Sequence, residues 1–366
     1  MAGTAFSAAN WDGYDEQSAT NPGGALTDFT LLIDVSTLSA TWKSTVQSDA
    51  GDIRCTKGDG TTELATDLIN WAYNAGAPTG HIRVKWSSTL AASGTQNVRV
   101  YAGYTPGTAV VYDAIETYGS DNAYDANWDA YWPLFDVNDR TSNGNNLTNV
   151  GADSGATGQV GDCHDFVAAN SDYMEGSFGD IAAPLTIMVW VNRDNLTNRM
   201  RFAWLQESDN DPDGWLMWGR ESNEDLGFAA LAATATVDGS VLGGTMSTGW
   251  DHCVGVARSA TDRQAYIDKT SIGTNATSCT PGTISYITVG ANQNQGSHFM
   301  DGLLNEIQIH SADRSGDWAD LEYDQSSDQS TFWGTWAWTA TAGGGANPKG
   351  VFGLAIHGPL ARSVYA

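Results

Sequence analysis

Charge is scarce in this sequence, and basic charge scarcest of all. Only 16 % of the 366 residues are Asp, Glu, Lys or Arg, and 43 acidic side chains stand against 17 basic ones. A formal net charge of −26 repels phosphate backbones, so nucleic-acid binding is excluded as a function class. No run approaches the ~20 apolar residues that cross a bilayer, so membrane insertion is not expected. Four cysteines are too few for a disulfide framework, and none stands in a C-x-x-C pair, which excludes zinc ribbons and thioredoxin-type redox sites. Buried thiols are expected instead, with Cys253 and Cys279 the one pair whose bridging merits a test. Six histidines lack H-x-H or H-E-x-x-H spacing, against a zinc hydrolase. Helical periodicity is nearly missing too: only 315–323 (SGDWADLEY) predicts a capped helix, of two turns at most. Residues 1–10 (MAGTAFSAAN) have neither a basic nor an apolar region, so a secretory signal is not expected there.

Thr, Ser, Asn and Gly fill the solvent-facing positions, among them 41 glycines, while hydrophobic residues at 41 % suffice for cores. The dominant period is two. Phe29, Leu31, Ile33 and Val35 alternate in one segment, Ile82, Val84 and Trp86 in a second, and Val98, Val100 and Ala102 in a third. Leu185, Ile187, Val189 and Val191 repeat the pattern later, followed by Ala265 and Ile267. Half-buried antiparallel strands produce this alternation, and the short turn-rich spacing suits sandwiches rather than βαβ units. The expected fold class is all-β with two β-sandwich domains. The expected division is 1–105 for the first sandwich, 106–128 for a linker, 129–338 for a jelly roll, and 339–366 for a glycine-rich hinge and tail. That tail has no acidic residue but carries Lys349, Arg362 and the apolar Val351, Phe352, Leu354, Ile356, Leu360, Val364 and Tyr365. It reads as a segment that docks on its own body or on a neighbouring subunit of a homo-oligomer.

Residues 26–38 (LTDFTLLIDVSTL), 51–71, 81–90 and 98–104 resemble, in order, the β-rich domain that precedes LamG modules in bacterial surface and phage proteins. Residues 129–148 (DAYWPLFDVNDRTSNGNNLT), 164–174, 185–193, 249–273 and 300–325 resemble a LamG-type domain of the concanavalin A-like lectin/glucanase superfamily. The resemblance implies a jelly roll of two packed antiparallel sheets that binds glycans or other surfaces.

Candidate chemistry follows from oxygen-rich loops and from aromatics. Asp209, Asp211 and Asp213 alternate before Gly214, a pattern that can converge oxygens on calcium. The EF-hand pattern is not completed, since Arg220 holds its twelfth position. Asp136, Asp139 and Asn143 are a second metal-ligating set that the LamG resemblance implies, against a reading as Asx-turns. Asp165, Asn170 and Asp172 join that group. Trp215, Trp218 and Tyr173 are the candidate sugar-binding aromatics, because aromatic faces stack on sugar rings while nearby Asp and Asn fix hydroxyls. The two tryptophans are three apart, so a strand puts them on opposite faces and only one can be a platform. Catalytic signals are thin: no E-x-D-x-E run supplies the paired carboxylates of retaining glucanases. GADSG at 151–155 lacks triad partners, and Glu306 reads as structural.

No enzyme is expected. The reading is a non-catalytic structural protein displayed on a phage virion, contacting glycans or cell-surface polysaccharide and other virion proteins. A secreted glycan-binding surface protein is the alternative, and a polysaccharide hydrolase the more distant one.

Overall fold

The computed structural model describes residues 2–74, 76–221, 225–232, 239–292 and 294–342. The docking tail expected at 339–366 falls outside them from residue 343 onward. Period-two alternation yields a chain that is 47 % strand and 11 % helix.

The first sandwich packs a sheet of Trp11–Thr20, Thr95–Tyr104, Arg54–Lys57 and Glu63–Leu64 on a sheet of Thr30–Asp34, Ala77–Lys85 and Thr66–Asn74. The alternating residues face inward: Leu31, Ile33, Ile82, Val84, Val98, Val100 and Cys55 are fully buried. Residues 106–127 form no strand but strap onto this sandwich. Val110 exchanges hydrogen bonds with Thr4, and Tyr112 donates to Glu63 Oε1 at 2.9 Å.

The second sandwich has an outer and an inner sheet. The outer sheet runs Thr148–Val150, Tyr173–Ile181, Ile284–Val289, Met200–Gln206, Gly214–Gly219, Leu226–Leu231, Gly239–Gly243. The inner sheet runs Asp153–Thr157, Asp162–Phe166, Gly302–His310, Leu185–Arg193, Trp250–Ser259, Asp262–Ile267, Thr270–Asn275, with Trp128–Trp132 also paired to Gly302–His310. Ile187, Val189, Phe202, Met217, Phe228, Ile287 and Ile307 fill the space between the two sheets. All four cysteines are buried as thiols, so Cys253 and Cys279 are not bridged. Burial raises the Cys163 thiol to about 12, with Asp165 and Asp162 adding to the rise.

Three features depart from the sequence reading. The capped helix runs Gly316–Ser327, beyond two turns, with Ser315 accepting from the Trp318 N–H, and Gln329–Trp333 follows it. Its polar composition conceals its position between the sandwiches, where Trp318, Ala319 and Leu321 share a core with Phe29, Ile33, Met188 and Val254. Tertiary packing overrides propensity here. The chain then leaves the jelly roll: Ala337–Ala340 pairs antiparallel with Trp11–Thr20, so the last described strand belongs to the first sandwich. Finally, besides the connection at 106–128, buried charge joins the two sandwiches. Arg83 Nη2 lies 2.5 Å from Glu306 Oε2 and Nη1 lies 3.1 Å from Glu322 Oε2. Tyr131 donates to Glu306 Oε1 at 2.5 Å. Glu306 occupies a bulge of the Gly302–His310 strand at φ 56°, which turns its carboxylate away from the core and toward Arg83. It is structural, as expected.

The helices also cover a strand edge. Thr30–Asp34 is an edge strand whose free backbone groups would otherwise be buried without partners. Leu32 N–H donates to Gln325 Oε1 at 2.8 Å and Asp34 N–H to Gln329 Oε1 at 2.9 Å. Gln325 Nε2 donates to Thr30 O at 3.1 Å, and Trp333 Nε1 to Leu32 O at 2.7 Å. Two glutamines four apart on a continuing helical path thus act as a missing strand.

Candidate functional site

The inner sheet is covered on both sides, which leaves the outward face of the outer sheet as the exposed sheet surface of the jelly roll. Strand register decides what it carries. Glu175 stands opposite Thr288, Thr288 opposite Trp204, Trp204 opposite Leu216 and Leu216 opposite Ala229. The adjacent row aligns Tyr286 with Gln206, and another pairs Arg201 with Trp218. Loop 207–213 and loop 292–299 border this face. Gln295 bridges them, donating toward Asp209 Oδ1 at 3.5 Å and Thr288 Oγ1 at 3.4 Å. Loop 292–299 is anchored where Arg201 N–H donates to His298 O at 3.0 Å.

The face combines half-buried aromatics with polar groups. Tyr173 and Tyr286 are half-buried around Glu175. Burial first, then the hydrogen bond with Glu175 and the charge of Asp209, hold the Tyr286 hydroxyl well above its usual range. Burial and the charges of Glu175 and Asp209 likewise raise Tyr173. Toward the centre, Gln206 Nε2 donates to Thr288 Oγ1 at 2.6 Å. Gln206 Oε1, Trp204 Nε1 and Arg201 Nε are sealed from solvent with no hydrogen-bond partner among the described residues. A buried polar atom left unpaired costs about 1–3 kcal/mol.

The sequence candidates distribute unevenly. Tyr173 and Asp209 reach this face, and Trp218 reaches it beside Arg201. Trp218 is only 5 % exposed, lying flat on Gly227, where an added Cβ would stand 2.3 Å from its ring. Trp215 is no sugar platform: it is 2 % exposed, points into the core and stacks on Phe228 with ring centroids 6.0 Å apart. Opposite faces for the two tryptophans follow the period of the strand, but neither is an open ring.

The acidic loops do not gather as the metal reading requires. Asp211 Oδ1 accepts from Asp213 N–H at 2.9 Å, while Asp209 faces Gln295. Asp136 closes an Asx-turn on Asn138 at 3.0 Å. The carboxylate of Asp139 accepts from the backbone of Tyr131 at 3.0 Å, Thr141 at 2.9 Å and Asn145 at 2.8 Å. It pins its loop and has spent its lone pairs. Asp172 accepts from Val167 N–H at 2.9 Å. Among the described residues, no three His, Cys, Asp or Glu side chains come together to hold a metal ion.

Sequence reasoning missed Glu175, Arg201, Trp204, Gln206, Tyr286 and Gln295. The alternation of Trp204 and Gln206 in MRFAWLQ was the available signal.

Residues 164–319 match a family described as Laminin_G_3, of the concanavalin A-like lectin/glucanases superfamily. A comparison with curated proteins finds no match. Among solved structures, domain 4 of AbnA, an extracellular arabinanase from Geobacillus stearothermophilus solved with arabinotriose, is similar at 16 % identity and TM-score 0.42, covering 53 % of this chain and 97 % of that one. The binding domain of botulinum neurotoxin serotype D is similar at 10 % identity and TM-score 0.45, covering 54 % of this chain and 50 % of that one. The binding domain of Paraclostridial Mosquitocidal Protein 1 is similar at 13 % identity and TM-score 0.45, covering 54 % of this chain and 52 % of that one. The chain thus spans about half the length of the last two. The family match and the two packed antiparallel sheets together give the second sandwich a concanavalin A-like jelly-roll fold.

Proposed function

We propose that the protein is a non-catalytic saccharide-binding protein whose contact surface is the outward face of the outer sheet. The observation that carries this reading is the grouping of the half-buried Tyr173 and Tyr286 around Glu175 on this face. Two tyrosine rings offer apolar stacking surface, and the half-buried Glu175 carboxylate between them can accept from the hydroxyls of a sugar. Binding rather than hydrolysis is supported by the missing E-x-D-x-E run and by the commitment of Glu306 to Arg83. A glycan array read with the wild type and with Tyr286→Ala tests it. Saccharide signals that fall at least tenfold in the variant support the reading. An unchanged array, or release of reducing ends from any bound polysaccharide, overturns it.

The setting in which such a face is displayed is proposed as a virion surface, on the resemblance of residues 26–104 to modules of phage proteins. A secreted bacterial surface protein is the other setting. Mass spectrometry of purified particles against culture supernatant separates the two.

A further inference from the structure

Arg201 differs from the other buried arginines. Arg83 pairs with Glu306 and Glu322, and Arg314 pairs with Asp125 at 2.8 Å. Arg54 donates to the carbonyls of Gly51, Ile53, Thr4 and Val110, and Arg263 to Ala260 O and Asn275 Oδ1. Arg193 donates to Asn198 O at 2.6 Å. Arg201 is only 8 % exposed, and its guanidinium meets the rings of Trp204 and Trp218, 5.2 and 5.6 Å from their centroids. Among the described residues it has no carboxylate or carbonyl acceptor, and its Nε is sealed without a partner.

The neighbouring charges do not neutralise it. Glu221 is engaged by Arg199 through two bonds of 2.6 Å, and His298 Nδ1 contacts Ser297 Oγ at 3.0 Å. Burial first, and Arg199 second, bring Arg201 down to about 10, with Glu221 opposing, so it stays cationic at neutral pH. A protein with 43 acidic residues that leaves a buried guanidinium unpaired holds a cation ready for an anion supplied from outside. Two indoles supply cation–π contact but cannot replace hydrogen-bond acceptors.

Resting on the saccharide-binding reading, we infer that the Arg201 guanidinium, through the Nη groups that are not sealed as its Nε is, receives the carboxylate of an acidic saccharide. Acidity of the ligand is the new element, and two classes of sugar supply that carboxylate, hexuronic acids and sialic acids.

Isothermal titration of the full chain tests the inference with four probes: trigalacturonate, its methyl ester, 3′-sialyllactose and lactose. At least one acid is expected to bind tenfold or more tightly than its neutral counterpart, and which acid does so identifies the source. Arg201→Gln removes that difference. Equal affinity for acid and neutral forms overturns the inference, as does a preference that survives R201Q. The acid-to-ester comparison uses unaltered protein, so it decides even where the variant folds poorly. Neutral binding that depends on Tyr286 but shows no acid preference leaves the saccharide reading standing and removes this inference alone. Binding of none of the four removes both.

Discussion

Replacing Arg83 by Met would strip the counter-charge from two carboxylates that cannot reach water. Arg83, Glu306 and Glu322 have side-chain exposures of 0 %, 2 % and 2 %, with contacts of 2.5 and 3.1 Å. At an effective dielectric constant near 20, one such pair at about 4 Å is worth ~4 kcal/mol. The desolvation of the guanidinium offsets part of this, and removing one partner of a buried pair costs about 3–5 kcal/mol. Burial already holds the Glu306 carboxyl above the usual range, and the Arg83 charge and the bonds from Tyr131 and Arg83 pull it down. Without Arg83 it rises further. A carboxyl raised in the folded state binds more protons there than when unfolded, so its contribution is present at low pH and lost as pH climbs through the raised value. The penalty of R83M therefore grows with pH, by up to ~1.4 kcal/mol per unit while the Glu306 carboxyl is held neutral. Urea denaturation followed by tryptophan fluorescence at pH 5, 7 and 8 measures it. A loss of about 3–5 kcal/mol at pH 7, smaller at pH 5 and largely recovered in R83M/E306Q/E322Q, is expected. A loss under about 1 kcal/mol at pH 7, or one independent of pH, would refute the assignment of this network as the joint between the sandwiches.

Gln325→Leu removes the partners of Leu32 N–H and Thr30 O together, and should lower stability by about 2–4 kcal/mol in the same urea titration. The buried His252 is depressed to about 3, by desolvation and then by Arg83, so it stays neutral when folded and charges when unfolded. Stability must then fall as pH drops below about 6.5, by ~2 kcal/mol at pH 5, and the His252→Gln variant should lack that component of the slope. Calcium or chelator should shift the thermal midpoint of the wild type and of D209N/D211N equally, because these carboxylates do not converge; a calcium-specific rise lost in the variant would restore the metal reading.

The strands were legible because a sheet covered on one face writes its burial into alternate residues, as at Leu31, Ile33, Ile82 and Val84. The opposition of Trp215 and Trp218 was legible for the same reason, though not their burial, which depends on Phe228 and Gly227 of a neighbouring strand. Arg201 was hidden by a bulge. Strict alternation puts it on the face opposite Trp204, but the register shift between Arg201 and Ala203 turns both outward. The pairing of Arg83 with Glu306 and Glu322 joins residues 223 and 239 positions apart, and no local pattern encodes it. The helix Gly316–Ser327 was only half visible, since both of its sides are covered and its buried set includes Glu322, Gln325 and Ser326. Such residues look like a solvated surface until their partners are known.

The proposed saccharide contact lies on one surface, the outward face of the outer sheet. Amide hydrogen exchange of the full chain, with and without a saccharide selected from the array, locates the contact directly. Slowed exchange confined to Met200–Gln206, Ile284–Val289 and the two loops at 207–213 and 292–299 is the predicted result. Protection of the first sandwich or of the loop at 136–146, with the outer sheet unchanged, would contradict it.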